Sequence, residues 1–422
     1  MNLLVIGSGG REHAIIRKLK ENKNVEKIYC LPGNGGIAED AECFPIGATD
    51  IEKQIAFANE HSIDYVVVTP DDPLALGAVD AFNKAGYKCF GPEKKAAIIE
   101  ASKAFSKDLM KKYNIPTAEY EVFSDEEKAH AYIDKMGAPI VIKADGLALG
   151  KGVIIAETVE EAKTAVSEML NDGKFGDAGK TIVIEEFLTG PEVSILTFTD
   201  GKTLKPMISS MDHKRAHDND EGLNTGGMGA IAPNPYYTKE IAEEAMNTIF
   251  VPTIRAMEAE GRTFKGCLYF SLMLTEKGPK VIEYNSRFGD PETQVVLPLM
   301  ETDLLEAMMA TTDGTLDKCD VRFSDKSSCC VVIASLGYPL SYQKGFEIKM
   351  SEAAHKATYV AGAAIKDGKL VNSGGRVLGV TAVADTLKEA ITDSYKLVSE
   401  IDFDGSFYRK DIGQRALKAL ED

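Results

Sequence analysis

Short apolar runs bounded by glycine and proline alternate with amphipathic stretches through the first hundred residues. LLVIG at 3–7, KIYCLPG at 27–33, DYVVVTP at 64–70 and YKCFGP at 87–92 read as buried strands, with a first helix starting near Arg11. Strands alternating with helices predict βαβ units, hence a parallel sheet with helices on its faces. Pro92 and a helix beginning near Ser102 mark a boundary. From 115 to 190 the pattern changes: the strands PIVIKAD, VIIAE and TIVIEEF surround a helix over 159–171, a small α+β module sized to act as a cover. Further strands and helices fill 191–320, and the end carries the strands CCVVIAS and RVLGVTAVA with a helix over 386–400. The predicted architecture is multidomain, α/β and α+β: an N-terminal parallel βαβ domain over 1–101, a core over 102–325 containing a small subdomain at 120–188, and a C-terminal α+β domain over 326–422. No internal repeat or low-complexity linker interrupts it.

The length of 422 residues agrees with about three domains. Apolar residues make up 44% of the chain and charged ones 27%, a globular balance, and no apolar run approaches the roughly 20 residues of a membrane span. The opening MNLLVIGSGGREH has no basic leader and runs directly into a glycine loop, so it reads as a first strand and a cytoplasmic location is expected. Seven cysteines without C-x-x-C spacing read as free thiols, with Cys329 and Cys330 facing opposite ways on one strand. A net charge of −17 argues against nucleic acid or anionic membranes as partners, so a phosphorylated substrate would need a local cluster of positive groups.

Candidate chemistry is concentrated in a few segments. In VIEYNSRFGDPETQ, residues 281–294, a strand runs into Glu283, Asn285 and Arg287 at intervals of two, so their side chains share a face. A carboxylate, an amide oxygen and a guanidinium suit a hard divalent cation that holds phosphate, although a polar sheet edge with an ion pair is the plainer reading. The loop at Gly7 begins like a dinucleotide fingerprint, but Glu12 stands at its third glycine and no acid follows the second strand. Its Gly9 and Gly10 amides, with Arg11, suit another anion, or the loop is simply a tight turn. Lys143 ends a strand ahead of a loop carrying Gly146, Gly150, Lys151 and Gly152, which suits triphosphate without being a Walker loop; a flexible hairpin is the alternative. Glu185, Glu186, Phe187 and Leu188, then Glu192, offer an apolar wall, backbone groups and an acid for a nucleoside. Asp212, His213, Lys214 and Arg215, followed by Asn224, Thr225 and Gly226, supply the positive cluster, unless they are a solvated charge run. His13 and His213 read as structural.

GSGGREHA at 7–14, SKAFSKDLM at 102–110, VIKADGLALGKGV at 141–153, IEEFLTGPEVS at 184–194, DHKR at 212–215, NTGGMGA at 224–230 and EYNSRFGDPETQ at 283–294 together resemble the ATP-grasp ligases and, among them, the phosphoribosylamine-glycine ligase family. The resemblance covers essentially the whole chain. It implies a Rossmann-like N-terminal domain, an ATP-grasp core with a lid subdomain, and a small C-terminal domain. The implied reaction joins glycine to 5-phosphoribosylamine at the expense of ATP through glycyl phosphate, an early step of purine synthesis, with Mg²⁺ or Mn²⁺. Lys103 and Lys143 are implied to hold ATP phosphates under a mobile loop from Gly146 to Gly152. Glu185 and the backbone of Glu186 to Leu188 would meet adenine, Glu192 the ribose, and Glu283 with Asn285 the metal. Asp212, Arg287, Lys214, Arg215 and the 224–226 loop are expected at glycine and phosphoribosylamine, with Asp290 orienting the metal face or the amine. A transient contact with the enzyme that makes phosphoribosylamine is a further expectation. Two positions depart from the pattern: Ser271 stands where many ATP-grasp relatives place a second metal-binding acid, and Asp71 where this family usually has glutamate.

Two other classes compete. A nicotinamide oxidoreductase is disfavoured by Glu12 and the missing acid, and an ATP-binding regulator derived from a ligase is disfavoured because Lys143, Glu283 and Asn285 are all present.

Overall fold

The computed structural model describes residues 1–147, 152–171 and 176–421. Strands β1 (Asn2–Gly7), β2 (Lys27–Pro32), β3 (Glu42–Cys43), β4 (Tyr65–Val68) and β5 (Lys88–Phe90) form a parallel sheet in the order β3-β2-β1-β4-β5. Alternation in β1 explains its double burial. Leu3 and Val5 pack with Ile15, Ile16 and Leu19 of the following helix, Gly10–Leu19, while Leu4 and Ile6 pack with Phe57 and Phe82 on the other face.

A second sheet, order β6-β9-β7-β8, is built from β6 (Tyr120–Phe123), β7 (Ile140–Ala144), β8 (Val153–Ala156) and β9 (Ile182–Glu186) and is backed by helices Glu126–Met136 and Val159–Leu170. The second helix starts cleanly because Thr158 and Glu161 cap it reciprocally. These elements run from Tyr120 to Glu186.

Next along the chain come β10 (Glu192–Thr199), β11 (Leu204–Pro206), β12 (Met211–Asp212), β13 (Arg215–His217), β14 (Glu221–Asn224), β15 (Gly229–Ala232), β16 (Gly266–Thr275) and β17 (Gly278–Asn285). Four of them make the antiparallel sheet β11-β10-β16-β17, and β13 with β14 forms a separate hairpin. The remaining two, β12 and β15, join β18 (Ser327–Ser335), β19 (Thr358–Val360) and β20 (Arg376–Ala384) in the order β12-β15-β18-β20-β19. One sheet therefore unites residues on both sides of position 325, and it carries Asp212 at its edge. On β18, Cys330 packs into the core shared with the N-terminal sheet and Cys329 into the C-terminal core, as strand alternation requires. All seven cysteines are free. Among the described residues no helix is long and apolar enough to cross a membrane.

Two buried histidines tie the parts together, and backbone amides fix their tautomers. His13 Nδ1 accepts from the Val360 amide (2.8 Å), which leaves its Nε2–H for Asp40 (3.0 Å). His213 Nε2 accepts from the Gly413 amide (3.1 Å), so its Nδ1–H donates to the Gly229 carbonyl (3.2 Å). A ring nitrogen already accepting an amide has no room for a second proton, and burial lowers both pKa values, that of His213 to about 4. The folded state refuses a proton that the unfolded chain takes below about pH 6.5, so stability is lost as pH falls from 6.5 towards 4. His213 should account for up to about 3 kcal/mol of that loss. Urea midpoints between pH 7 and 5 should fall steeply for the wild type and less steeply for His213→Gln, whose amide oxygen can still accept from Gly413.

Candidate active site

The cationic floor comes from three elements locked end to end. Asp145, just past β7, accepts through Oδ1 from the Ala104 amide (2.7 Å) and from Ser102 Oγ (3.1 Å), while its carbonyl accepts from the Lys103 amide (3.1 Å). Ser102 in turn caps helix Lys103–Lys112 through the Phe105 amide (3.0 Å). The helix start is thereby fixed to the strand end, with Lys103 and Lys143 on either side, and Lys103 Nζ donates to the Gly146 carbonyl (3.1 Å). Gly146 has to be glycine, since a Cβ there would lie 2.7 Å from the Ala178 Cβ. Gly152 is buried at the start of β8; Gly150 and Lys151 lie outside the described residues.

Lys143 Nζ reaches Glu185 Oε2 on the neighbouring strand (3.0 Å), and Lys107 Nζ reaches the same oxygen (3.0 Å) and Thr117 Oγ1 (2.7 Å). Burial lowers the Lys107 pKa to about 8, with Lys143 adding to the effect and Glu185 resisting it. Burial and Lys143 also lower Lys103. Burial alone would raise Glu185, but Lys143 and Lys107 hold it below the usual carboxylate range. Its Oε1 is buried with no hydrogen-bond partner among the described residues. After Glu186, which meets Lys280 at 3.4 Å, the backbone groups of Phe187 and Leu188 make no hydrogen bonds among the described residues. A buried acceptor beside unpaired backbone suits an amino-bearing ring such as adenine.

The strand predicted through Arg287 stops at Asn285. Arg287 is consequently placed not by alternation but by an ion pair, Nη2 to Glu100 Oε1 at 2.9 Å. Glu100 belongs to helix Lys94–Ala101 and also accepts from Asn285 Nδ2 (3.1 Å), the Ser286 amide (2.7 Å) and Ser286 Oγ (2.8 Å). Burial pushes the Glu100 carboxyl up and Arg287 draws it back. Glu100, with Asp71, raises the Arg287 pKa against the effect of burial. Burial would raise Glu283, but Lys214, Lys143, Lys103 and Arg287 together lower it. Its cross-strand partner on β16 is Ser271, buried, with a bulge just beyond. Among the described residues no three His, Cys, Asp or Glu side chains gather as a metal cluster. Glu283 and Asn285 still fit a divalent cation, since a cation held between two protein oxygens and phosphate needs no closed protein cage.

Beyond the metal face lie two acids. Asp212 is pushed well above the usual range by burial and by Glu292, with Lys214 opposing. Glu292 Oε1 accepts from Tyr269 Oη (2.8 Å), which also meets Ser194 Oγ (2.8 Å). Lys214 bonds Glu192 (2.8 Å), the acid expected at a ribose. Thr225 Oγ1 donates to the Lys214 carbonyl (2.8 Å). Gly227, at φ +114°, approaches Asp212 so closely that a Cβ would sit 2.6 Å from its Oδ1. Arg376 of β20 closes this end: its Nη1 donates to the carbonyls of Gly226 and Asp290 (2.8 Å each) and lies 3.4 Å from Asp290 Oδ1. Burial would raise Asp290, but Arg376 and Arg11 hold it down.

Gly9, Arg11, Arg215 and Asn224, all expected at the substrates, make contacts within the protein. The Gly9 amide donates to Glu12, so the helix N-terminus already holds a carboxylate there, while Arg11 donates to the Phe288 carbonyl (3.1 Å). The glycine turn thus serves to dock the first domain on the 288–294 segment. Arg215 begins β13 and donates to the Gly222 carbonyl (2.8 Å) inside the hairpin formed by β13 and β14, where Asn224 pairs with it. Sequence reasoning missed Glu100, Lys107, Glu292 and Arg376. Lys107 and Glu292 lie within segments that drew notice for other residues; Glu100 and Arg376 carry no local signal.

Fold and site define an ATP-grasp ligase: a lid sheet carrying Lys143 and Glu185 set against a core sheet carrying Glu283 and Asn285. Family models for the phosphoribosylglycinamide synthetase N domain, ATP-grasp (A) domain and C domain match residues 1–100, 101–293 and 328–415. A curated phosphoribosylamine–glycine ligase of Pasteurella multocida is 50% identical across 99% of this chain and 98% of that protein. The crystal structure of the Thermotoga maritima phosphoribosylamine–glycine ligase superposes with a TM-score of 0.87 at 36% identity, covering 98% of this chain and 100% of that one. A biotin carboxylase domain from Hydrogenobacter thermophilus, in complex with MgADP and bicarbonate, shares the fold at a TM-score of 0.72 and 18% identity, over 100% of this chain and 94% of that one. The chain belongs to the phosphoribosylglycinamide synthetase family.

The electrostatics of the floor are open to a direct test. Glu185→Gln leaves Lys107 and Lys143 buried without their shared counter-charge and should cost on the order of 3 kcal/mol of stability. Adding Lys107→Met to that background should recover part of the loss in urea denaturation, because one orphaned cation is removed.

Proposed function

We propose that this chain joins glycine to 5-phosphoribosylamine, giving glycinamide ribonucleotide, ADP and phosphate. The observation that carries this reading is that four cations, Lys103, Lys143, Lys214 and Arg287, act together on the Glu283 carboxylate, while Asp212 feels a second acid, Glu292. Cations of this kind match a transferring phosphoryl group, and two neighbouring acids match an ammonium. Family membership supplies the names of the substrates.

In the proposed sequence the glycine carboxylate oxygen attacks the γ-phosphorus of ATP and ADP departs, leaving glycyl phosphate. The ribosyl amine nitrogen then attacks the acyl carbon, phosphate leaves, and the amine loses a proton. Lys103 and Lys143 hold phosphate oxygens, and the Gly146 to Gly152 loop, with Gly150 and Lys151, covers them. Glu185 Oε1 and the backbone of Glu186, Phe187 and Leu188 receive adenine; Glu192 turns from Lys214 to the ribose. Glu283 and Asn285 hold Mg²⁺ or Mn²⁺, which when bound neutralises phosphate charge. Asp212, with Glu292, binds the glycine ammonium, and Arg287 binds its carboxylate and the acyl phosphate formed from it. Lys214, Thr225 and Gly226 face phosphoribosylamine, with Asp290 orienting the amine. Because an acyl phosphate hydrolyses in water, closing the 120–188 lid over it protects the intermediate. The lability of phosphoribosylamine favours a transient contact with the enzyme that makes it. Boundaries at about 101 and 325 complete the reading.

Phosphate release from ATP should require both glycine and freshly generated phosphoribosylamine, and the product should have the mass of glycinamide ribonucleotide. A requirement for another carboxylate or amine would overturn the substrate assignment. Asp212→Asn should raise the KM for glycine by about ten-fold or more with ATP affinity little changed, since one charge of the ammonium site is lost. Near wild-type turnover at limiting glycine would remove Asp212 from that role.

A further inference from the structure

Glu100 is 7% exposed and sits on the helix that joins the first domain to the core, yet its three hydrogen bonds and its ion pair all go to three consecutive residues, Asn285 at the end of β17 and the two that follow. Oε2 accepts from the Ser286 amide (2.7 Å) and Ser286 Oγ (2.8 Å); Oε1 accepts from Asn285 Nδ2 (3.1 Å) and forms an ion pair with Arg287 Nη2 (2.9 Å). A backbone amide and a guanidinium can only donate, so Glu100 stands here as an acceptor on both oxygens. The Asn285 amide has one oxygen and one nitrogen, and an acceptor beside it selects the nitrogen. Its Oδ1 is then turned away from Glu100.

We propose that Glu100 is a positioning residue that fixes the Asn285 amide so that its oxygen, not its nitrogen, faces the divalent cation; this rests on the metal role given to Glu283 and Asn285 above. An amide nitrogen cannot ligate a hard cation, and a flip of the side chain would present one. The same carboxylate also seats Arg287, so one buried side chain from the linking helix aligns both the metal face and the neighbouring guanidinium. Partners of this second layer commonly change metal affinity about 10–100-fold when removed.

The consequence of Glu100→Gln follows from the fixed donor. The Ser286 amide cannot rotate, so the oxygen of the introduced glutamine stays opposite it and the glutamine nitrogen lands where Oε1 accepted from Asn285. Donor would face donor, and Asn285 relieves this by flipping, which turns its NH₂ to the cation. An aspartate at position 285 has no such choice: in Glu100→Gln/Asn285→Asp, the introduced glutamine donates to one oxygen of the new carboxylate and the other remains for the metal.

The experiment is a cycle of wild type, Glu100→Gln, Asn285→Asp and the double variant, with Glu283→Ala as reference. Mn²⁺ binding in the presence of a non-hydrolysable ATP analogue is read from the free-ion signal in electron paramagnetic resonance, and thermal unfolding is recorded alongside. Glu100→Gln should weaken Mn²⁺ about 10–100-fold when asparagine occupies position 285, and leave it unchanged or stronger when aspartate does. Equal weakening in both backgrounds would mean a general structural role and overturn the proposal, as would wild-type affinity in Glu100→Gln. If Glu283→Ala itself binds Mn²⁺ normally, the metal face is misassigned and the proposal falls with it, a failure distinct from the other two. Should Glu100→Gln not fold alone, the double variant carries the test: an affinity within about threefold of Asn285→Asp supports the proposal and a larger loss overturns it.

Discussion

Everything at this site depends on burying like charges without letting them neutralise. Lys107 and Lys143 share one oxygen of Glu185, and burial already brings Lys107 to about 8. Lys103 is lowered as well. Lysines in this condition stay cationic only because carboxylates are held beside them at fixed distances. Glu185 lies one strand away from Lys143, on the same face of the lid sheet, so the rigidity of that sheet keeps the phosphate-facing charge in place.

The same logic extends outward. Glu283 is kept below its usual range by four cations contributed by four separate segments, and Asp212 is driven the other way by burial and Glu292. Positive charge is thus in excess around Glu283, whereas Asp212 has a second acid beside it with Lys214 opposing. Sheets provide that asymmetry. Glu283 and Asn285 end β17 in the core sheet, Asp212 ends β12 in the sheet shared with the C-terminal region, and Gly227 lets its loop approach Asp212 and Pro291.

Contacts between domains are part of the site rather than its scaffold. Arg376, from the C-terminal region, bonds carbonyls on two loops of the core and faces Asp290. Arg11, from the first domain, closes on the Phe288 carbonyl. Glu100, from the linking helix, gathers Asn285, Ser286 and Arg287. Motion of the first domain or of the C-terminal region would reach the 285–290 segment through these bonds.

Local pattern determined much of this. Apolar runs between glycines and prolines predicted the parallel sheet, the lid strands and β17 close to where they lie, because burial on one or two faces writes a period into sequence. Lys103, Lys143, Glu185, Glu283 and Asn285 were legible because each ends or begins an element beside a glycine loop or follows strand alternation. Tertiary structure alone decided the rest. Arg287 lies past its strand and is aimed by an ion pair, Gly9 has its amide filled by Glu12, and Arg215 turns into its hairpin. Glu100 and Arg376 were invisible because their partners lie 86 or more positions away, 185 between Glu100 and Asn285. Periodicity reports which way a side chain leaves its own backbone; only packing brings two distant backbones together and decides what that side chain meets.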